Sequence, residues 1–392
     1  MPTKASTQTK KAILKPLAAA TFLLRNARQT IPLTGVIMLA VLLICGIVSL
    51  INSIPFSIRT IYSYSKPVLG VAPRGDATQT PNLLKIVKEK SPVPLERLTI
   101  ARGIGREVTS IVGPWPFSVI GLKQQDMKFW LDCQFVKRLD GRLPAKGMPE
   151  AVISEPVARN LNLKLGDFLL KPDNDKGFSP EKVKIVGIAQ TDMWLMFTNY
   201  EYVKANHFPD VDIILAFAKT PREQDILNRW AEKHFRGQRV QVLAYHQVEE
   251  DSDKMFSILY KILNVIIGTL VMVITIMMGM LINIYQSQRL VEFGLLQALG
   301  YTRKQLLSRV MRETVSVVIL GWVFGVVFAY ILLRITKALL MDPRAFALNT
   351  LDSTAFLYTV PIPLAILIVA TLTVVGRFRK FDPISVVERR LV

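Results

Sequence analysis

The sequence predicts an α-helical membrane protein with four transmembrane helices and a large α+β extracytoplasmic domain between the first and second. Three observations lead there. Four runs carry no charged residue, at 29–58, 262–288, 314–333 and 353–376, and each can supply the roughly 20 apolar residues a helix needs to cross a bilayer. About two hundred mixed residues separate the first run from the second, enough for a folded domain of one or two parts. The formal charge of +19 is unevenly spread: residues 1–30, 289–313 and the tail from Arg377 hold +12 of it, while residues 55–255 carry 29 basic and 24 acidic side chains. That asymmetry follows the positive-inside rule and predicts both termini and the 289–313 link on the cytoplasmic side. It also excludes a nucleic-acid role, because the charge flanks apolar runs instead of forming a basic face.

Residues 1–30 mix Leu17, Phe22 and Leu24 with Lys11, Lys15, Arg25 and Arg28, which suits a basic amphipathic segment on an anionic inner leaflet. The first span is expected at 31–54, a retained anchor: it begins too late, is too long and lacks a small-residue cleavage site for a signal peptide. Within the 55–255 domain, "PVLGVAP", "TPNLLKIVKEK" and "ERLTIARGIGREVTSIVG" read as strand, helix, strand, and "VDIILAFAK", "TPREQDILNRWAEKHF" and "RVQVLAYHQ" repeat the order. Two porter-like β-α-β units would bracket an inserted strand-rich subdomain at about 123–203. "QVEEDSDKMFSILYKILN" enters the second span without Pro or Gly, so a helix can run from the domain into the 258–288 span as a stalk, and "FSIRTIYSYSK" can extend the first span. The third span is expected at 313–335, a short outer loop at 336–354, the fourth span at 355–376 and a cytoplasmic tail at 377–392.

Several chemistries lack their residues. No Gly-x-x-x-x-Gly-Lys-Ser/Thr loop occurs, so the chain has no P-loop for ATP, and "GIGREVTS" at Gly103 sits in a predicted strand. His207, His234 and His246 lack metal-ligand spacing. "EEDSD" at Glu249 reads as a solvated helix face, and no Ser-His-Asp constellation stands out. The spans carry almost no charge, which gives no support to an ion-coupled path. Cys45 and Cys133 fall in a span and in the outer domain, so no disulfide between them is expected. In the third span Gly321 and Gly325 form a Gly-x-x-x-Gly pair that permits close helix approach, read as packing within the chain. Met272, Met277, Met278 and Met280 of the second span read as ordinary lipid or helix packing, with a pliable surface as the alternative.

The link between the second and third spans is the unusual segment. Seven of the eleven residues at 289–299 are Leu, Val, Phe or Ala, too apolar for a turn in water. "LVEFGLLQAL" reads as a short helix stopped by Gly300, and Thr302 with Gln305 forms a capping box that opens the next helix.

These residues resemble the "E-x-G-x-x-x-A-x-G-A-x-x-x-x-I" pattern of the MacB/FtsX-type permeases, also called type VII ABC transporters, here as Glu292, Gly294, Ala298, Gly300 and Leu306. The tail "FDPISVVERR" is similar to that family's Asp-Pro-x-x-x-Leu-Arg motif at Asp382 and Pro383, departing at Val387 and Glu388. "EAVISEPVARNLNLKLGDFL" resembles its Leu-x-Gly-Asp phrase at Leu165, Gly166 and Asp167, and "FLLRNARQT" its amino-terminal signature.

The resemblance implies a non-catalytic permease subunit in a bacterial cytoplasmic membrane, without a fused ATPase domain. It implies a homodimer driven by a separate ABC ATPase dimer that holds ATP and Mg, the chain itself having no cofactor, and leaves room for a periplasmic adaptor and an outer-membrane channel. The ATPase would dock on Glu292, Phe293, Gly294, Leu295, Leu296, Ala298, Leu299 and Gly300, with Leu296 singled out as the test position. Two readings follow: an exporter or extractor handling a lipid, lipoprotein, peptide or amphiphilic compound, or a regulatory relative controlling a cell-wall hydrolase or sensor kinase. The size of the outer domain favours the first.

Overall fold

The computed structural model describes residues 26–206 and 211–379. The amino-terminal basic segment to Arg25, His207 and the tail motif at Asp382 and Pro383 lie outside the described residues. The chain divides into two compact units. One holds the chain to Ser49, Lys261–Arg334 and the chain from Thr350; the other holds Leu50–Tyr260 and Ile335–Asn349.

Four helices are long and apolar enough to cross a membrane. The first, α1, runs Ala27–Ile61 and begins before Pro32 and passes through Pro55. An interior proline removes one backbone bond, and the helix nevertheless extends past the charge-free run as the sequence suggested. In the first unit α1 buries Ile37, Val41, Ile44 and Val48 at three- and four-residue intervals, one face of a helix. Its opposite face leaves Leu39, Leu43, Ile47 and Leu50 exposed. An apolar outward face suits lipid, where water would penalise it.

The second unit is the interspan domain. Its elements are β1 (Leu69–Pro73), α2 (Thr80–Lys90), β2 (Leu95–Ser110), β3 (Gly113–Leu122), α3 (Gln124–Cys133), β4 (Arg138–Gly141), β5 (Glu150–Ser154), α4 (Glu155–Leu161), β6 (Phe168–Leu170), β7 (Val183–Gln190), β8 (Met196–Asn199), α5 (Tyr200–Ala205), β9 (Asp212–Ala218), α6 (Pro221–His234) and β10 (Val240–Leu243). The strands form one sheet in the order β10-β1-β9-β2-β3-β8-β5-β7-β4, with β6 on β7. The first four of these are the two β-α-β units seen in the sequence, but interleaved. β9 lies between β1 and β2 and is antiparallel to both, the split β-α-β arrangement. Leu69, Val71, Ile214 and Ala216 pack there against Leu83 and Val87 of α2 and Leu227 and Ala231 of α6.

The expected inserted subdomain is not separate. β2 and β3 form a nine-pair hairpin, turned at Gly113 with φ +115° and closed by Ser110 Oγ donating to Gly113 O at 2.8 Å. That hairpin hands the sheet edge to β8, β5, β7 and β4. One core joins both halves: Met127 and Trp130 of α3 pack with Val152 and Phe197 and also with Ala101, Leu215 and Phe217. Sequence periodicity fixes which face of a strand is apolar; which strand lies beside it is a long-range pairing that periodicity does not encode.

The 336–354 segment also differs from a free loop. After a turn of wide helix at Lys337–Met341 and a tight turn at Asp342–Arg344, it is fastened to the domain. Arg159 Nη1 donates to Asp342 O at 2.7 Å, and Asn160 Nδ2 donates to Arg344 O at 2.8 Å. Met341, Phe346 and Leu348 are buried together beside Ile111. The resemblance phrase at 165–167 forms a turn, with Gly166 at φ +96° and the Asp167 carboxylate accepting from Lys164 N at 2.7 Å.

Candidate functional site

The remaining helices are α7 (Tyr245–Gln288), α8 (Leu290–Ala298), α9 (Arg303–Thr336), α10 (Ser353–Leu357) and α11 (Pro361–Arg379), and of α7 and α9 the first unit holds the parts within Lys261–Arg334. α7 is continuous over 44 residues, so the chain enters the second span within one helix. Gly321 and Gly325 of α9 face α1. A Cβ on Gly321 would sit 2.8 Å from Ile37 Cβ, and one on Gly325 would sit 2.6 Å from Val41 Cβ, so the two backbones approach as only glycine permits.

The link is built from local chemistry. Gly300 takes φ +94°, Tyr301 N donates to Leu296 O at 3.1 Å and Gly300 N to Gln297 O at 2.9 Å. This pair of bonds is the Schellman closure of a helix. Two residues later Thr302 N donates to Gln305 Oε1 at 2.9 Å, and Gln305 N donates to Thr302 Oγ1 at 3.3 Å, a reciprocal capping box that starts α9. The backbone path between α8 and α9 is thus fixed by four hydrogen bonds.

A buried ion network anchors the same helix. Arg289, 8% exposed, donates through Nη1 to Glu313 Oε2 at 2.7 Å and through Nε to Glu292 Oε2 at 3.0 Å. Arg309 Nε donates to Glu313 Oε1 at 3.1 Å, and its Nη2 lies 3.5 Å from Glu292 Oε1. The Arg289 guanidinium also stacks over Phe293, 5.1 Å from the ring centre. Burial works against the Arg289 charge, but the hydrogen bonds it donates to the Glu292 and Glu313 carboxylates, with their negative charge, outweigh it and push its pKa above the ordinary value. Two arginines and two glutamates cancel, so the cluster sits at the end of the spans without net charge. Gln286 lines a cavity of about 40 Å³ beside it, large enough for water, and its Oε1 has no hydrogen-bond partner among the described residues.

The expected docking residues divide accordingly. Phe293 and Gly294 are buried, and Glu292 and Leu296 are half-buried. Val291, Leu295 and Leu299 stand outward at 37%, 58% and 76% exposure, spaced by four along the helix, with Ala298 and Gly300 also exposed. Leu296 is therefore less accessible than Leu295 or Leu299. The sequence argument missed the Arg289–Glu313 pair, because the two residues bracket different charge-free runs and each alone looks like a span flank.

Among the described residues no cluster of His, Cys, Asp and Glu could hold a metal, and both cysteines are unpaired with each other. His246 lies 3.6 Å from Glu250 and 3.9 Å from Glu232, on the surface of the interspan unit.

Solved structures to which the chain is similar include the periplasmic region of MacB from Actinobacillus actinomycetemcomitans, at 12% identity over 50% of this chain and 94% of that one, TM-score 0.27. They also include the extracellular domain of the noncanonic ABC-type transporter YknZ from Gram-positive bacteria, at 12% identity over 45% and 99%, TM-score 0.25. A third is a domain of a putative permease protein from Porphyromonas gingivalis, at 16% identity over 46% and 88%, TM-score 0.23. No curated protein gives a significant match. The family model of the FtsX-like permease C-terminal domain matches residues 256–383, the stretch that contains most of α7, all of the link and the third and fourth spans. Over this carboxy-terminal region, about a third of its length, the chain is similar to the FtsX-like permeases.

Proposed function

We propose that the chain is the membrane subunit of an ATP-driven ABC exporter or extractor. In this reading α8 is the docking element for a separate ATPase dimer on the cytoplasmic side, and the interspan domain handles a lipid, lipoprotein, peptide or amphiphilic compound outside. The supporting observation is the contrast within α8. Its inner face is held by Phe293 and the Arg289–Glu313 pair, while Val291, Leu295 and Leu299 form an exposed apolar stripe that water disfavours and a protein cleft would cover. ATP and Mg would be held by the partner, whose closure would move α8. Because Arg289 opens α8 and bonds Glu313 of α9, a push on α8 would reach the third span through a charge-assisted contact that resists breaking. Two copies of this chain would form the membrane unit, with both termini cytoplasmic.

The test uses Leu295→Asp and Leu299→Asp. Covering either leucine contributes roughly 1.5 to 3 kcal/mol, and an unpaired carboxylate adds a desolvation cost. Each variant should bind its ATPase at least about a hundredfold more weakly while still inserting and dimerising, as read by pull-down and gel filtration. Normal ATPase recovery with a well-folded variant would remove the docking role. Orientation is checked separately: in a chain lacking Cys133, exposed Lys88→Cys should react with a membrane-impermeant thiol reagent from outside, and exposed Ser308→Cys should not. Reversed labelling would overturn the reading.

A further inference from the structure

Strand β2 alternates faces, and it sends Ile104, Arg106 and Val108 the same way. Ile104 and Val108 are buried in a core shared with Phe117 and Val119, so Arg106 stands at a core-facing position, directly opposite Phe117 on β3. Residues 171–178 lie across it. Glu107 N donates to Lys176 O at 2.8 Å, Lys171 and Phe178 make an isolated β-bridge, and a Cβ on Gly177 would lie 2.7 Å from Arg106 Nη1. The guanidinium is therefore roofed by a backbone that leaves room for it only because residue 177 has no side chain.

Among the described residues Arg106 has no hydrogen-bond or ion-pair partner, and its Nε is wholly shielded from solvent. Burial draws its pKa below the ordinary value, with the adjacent Glu107 acting in the opposite direction. Arg106 as a whole is half-buried, so its unpaired guanidinium is shielded at Nε and borders the open groove with the rest of its fork. A groove of about 390 Å³ opens beside it, lined by Ile104, Gly105, Pro116, Phe117 and Phe178 and by the charged Glu107, Asp175 and Lys176. Phe178 is 55% exposed at its rim.

We propose that this groove binds the carboxylate of a small amphiphilic monoanion, with the Arg106 fork gripping the head group and Ile104, Phe117 and Phe178 enclosing the apolar part. The planar guanidinium matches a carboxylate in two parallel hydrogen bonds. The two cations of the groove, Arg106 and Lys176, are matched in number by the carboxylates of Glu107 and Asp175, a balance that disfavours a multiply charged phosphate. The volume lies at the small end of ligand pockets. This inference does not depend on the transport reading, since the groove can bind with no ATPase present.

The experiment titrates the full-length chain in nanodiscs with 4-phenylbutyrate, 4-phenylbutan-1-ol and 4-phenylbutylamine, read by calorimetry or ligand-observed NMR. Phenylbutyrate should bind at least about tenfold more tightly than the alcohol, and the amine should not bind. Arg106→Gln should abolish that preference. Gly177→Ala, which keeps the charge and displaces the guanidinium, should weaken the acid and leave the alcohol unchanged, and it serves if Arg106→Gln misfolds. Equal binding of acid and alcohol, no saturable binding, or a preference unaffected by both variants would overturn the proposal. So would tighter binding of an acidic extended peptide than of phenylbutyrate, which would assign the groove to a protein partner.

Discussion

Arg289 at the link is buried and Arg106 on the long hairpin is half-buried, and the protein treats the two charges in opposite ways. Arg289 meets two carboxylates and an aromatic face within its own unit, so its charge is spent inside the fold. Arg106 meets a glycine, a backbone strap and a groove that is apolar on one side and carries Glu107, Asp175 and Lys176 on the other, and it bonds to none of the described residues. The difference separates two uses of a cation set into the fold. One fixes the geometry of a helix, and removing a partner from it would strand the other charge. The other contributes little to the fold, and its value lies in what arrives from outside.

The sharpest way to break this contrast is Glu313→Gln. It leaves Arg289 buried with Glu292 alone, and breaking such a pair typically costs about 3 to 5 kcal/mol; detergent-resistant folded yield should collapse. If the loss is no larger than for a surface substitution, the network is not the anchor described. Next is the pair Leu296→Asp and Leu295→Asp. Leu296 is half-buried and Leu295 is 58% exposed, so the first should lower thermal stability, and the second should spare stability and lose ATPase binding by at least about 3 kcal/mol. Identical profiles would mean that α8 has no distinct inner and outer faces.

Smaller effects sharpen it further. Gly325→Ala places a methyl group against Val41 and should cost about 1 to 3 kcal/mol by overpacking, measurable as a lowered unfolding midpoint in detergent. Asn160→Ala removes an amide that accepts from Thr109 N at 2.9 Å and donates to Thr109 O and Arg344 O. It should cost about 1 to 3 kcal/mol and raise protease cleavage near Arg344. The smallest change is expected at Arg106. Arg106→Met exchanges an unpaired charge for an apolar side chain of similar length, and the unfolding temperature should stay level or rise. A large fall would show that Arg106 is structural and would merge the two cases.

What the sequence determined by itself is whatever rests on neighbours along the chain. The four spans follow from uncharged runs long enough for a bilayer. The stop at Gly300 and the start at Thr302 follow from side chains that bond within five residues of themselves. The two β-α-β units follow from alternation and from helix period. Only the tertiary structure could interleave those units, extend the sheet through the β2–β3 hairpin, fasten residues 341–348 to α4 and the core, and bring Arg289 to Glu313. The link was legible as an apolar helix, but which of Leu295 and Leu296 faces outward was not, because that depends on which side Phe293 and Arg289 are held. Arg106 reads in the sequence as one more charge in a strand. Its isolation exists only once residues 171–178, some seventy positions away, have been laid across it, and no local pattern records a partner that distant.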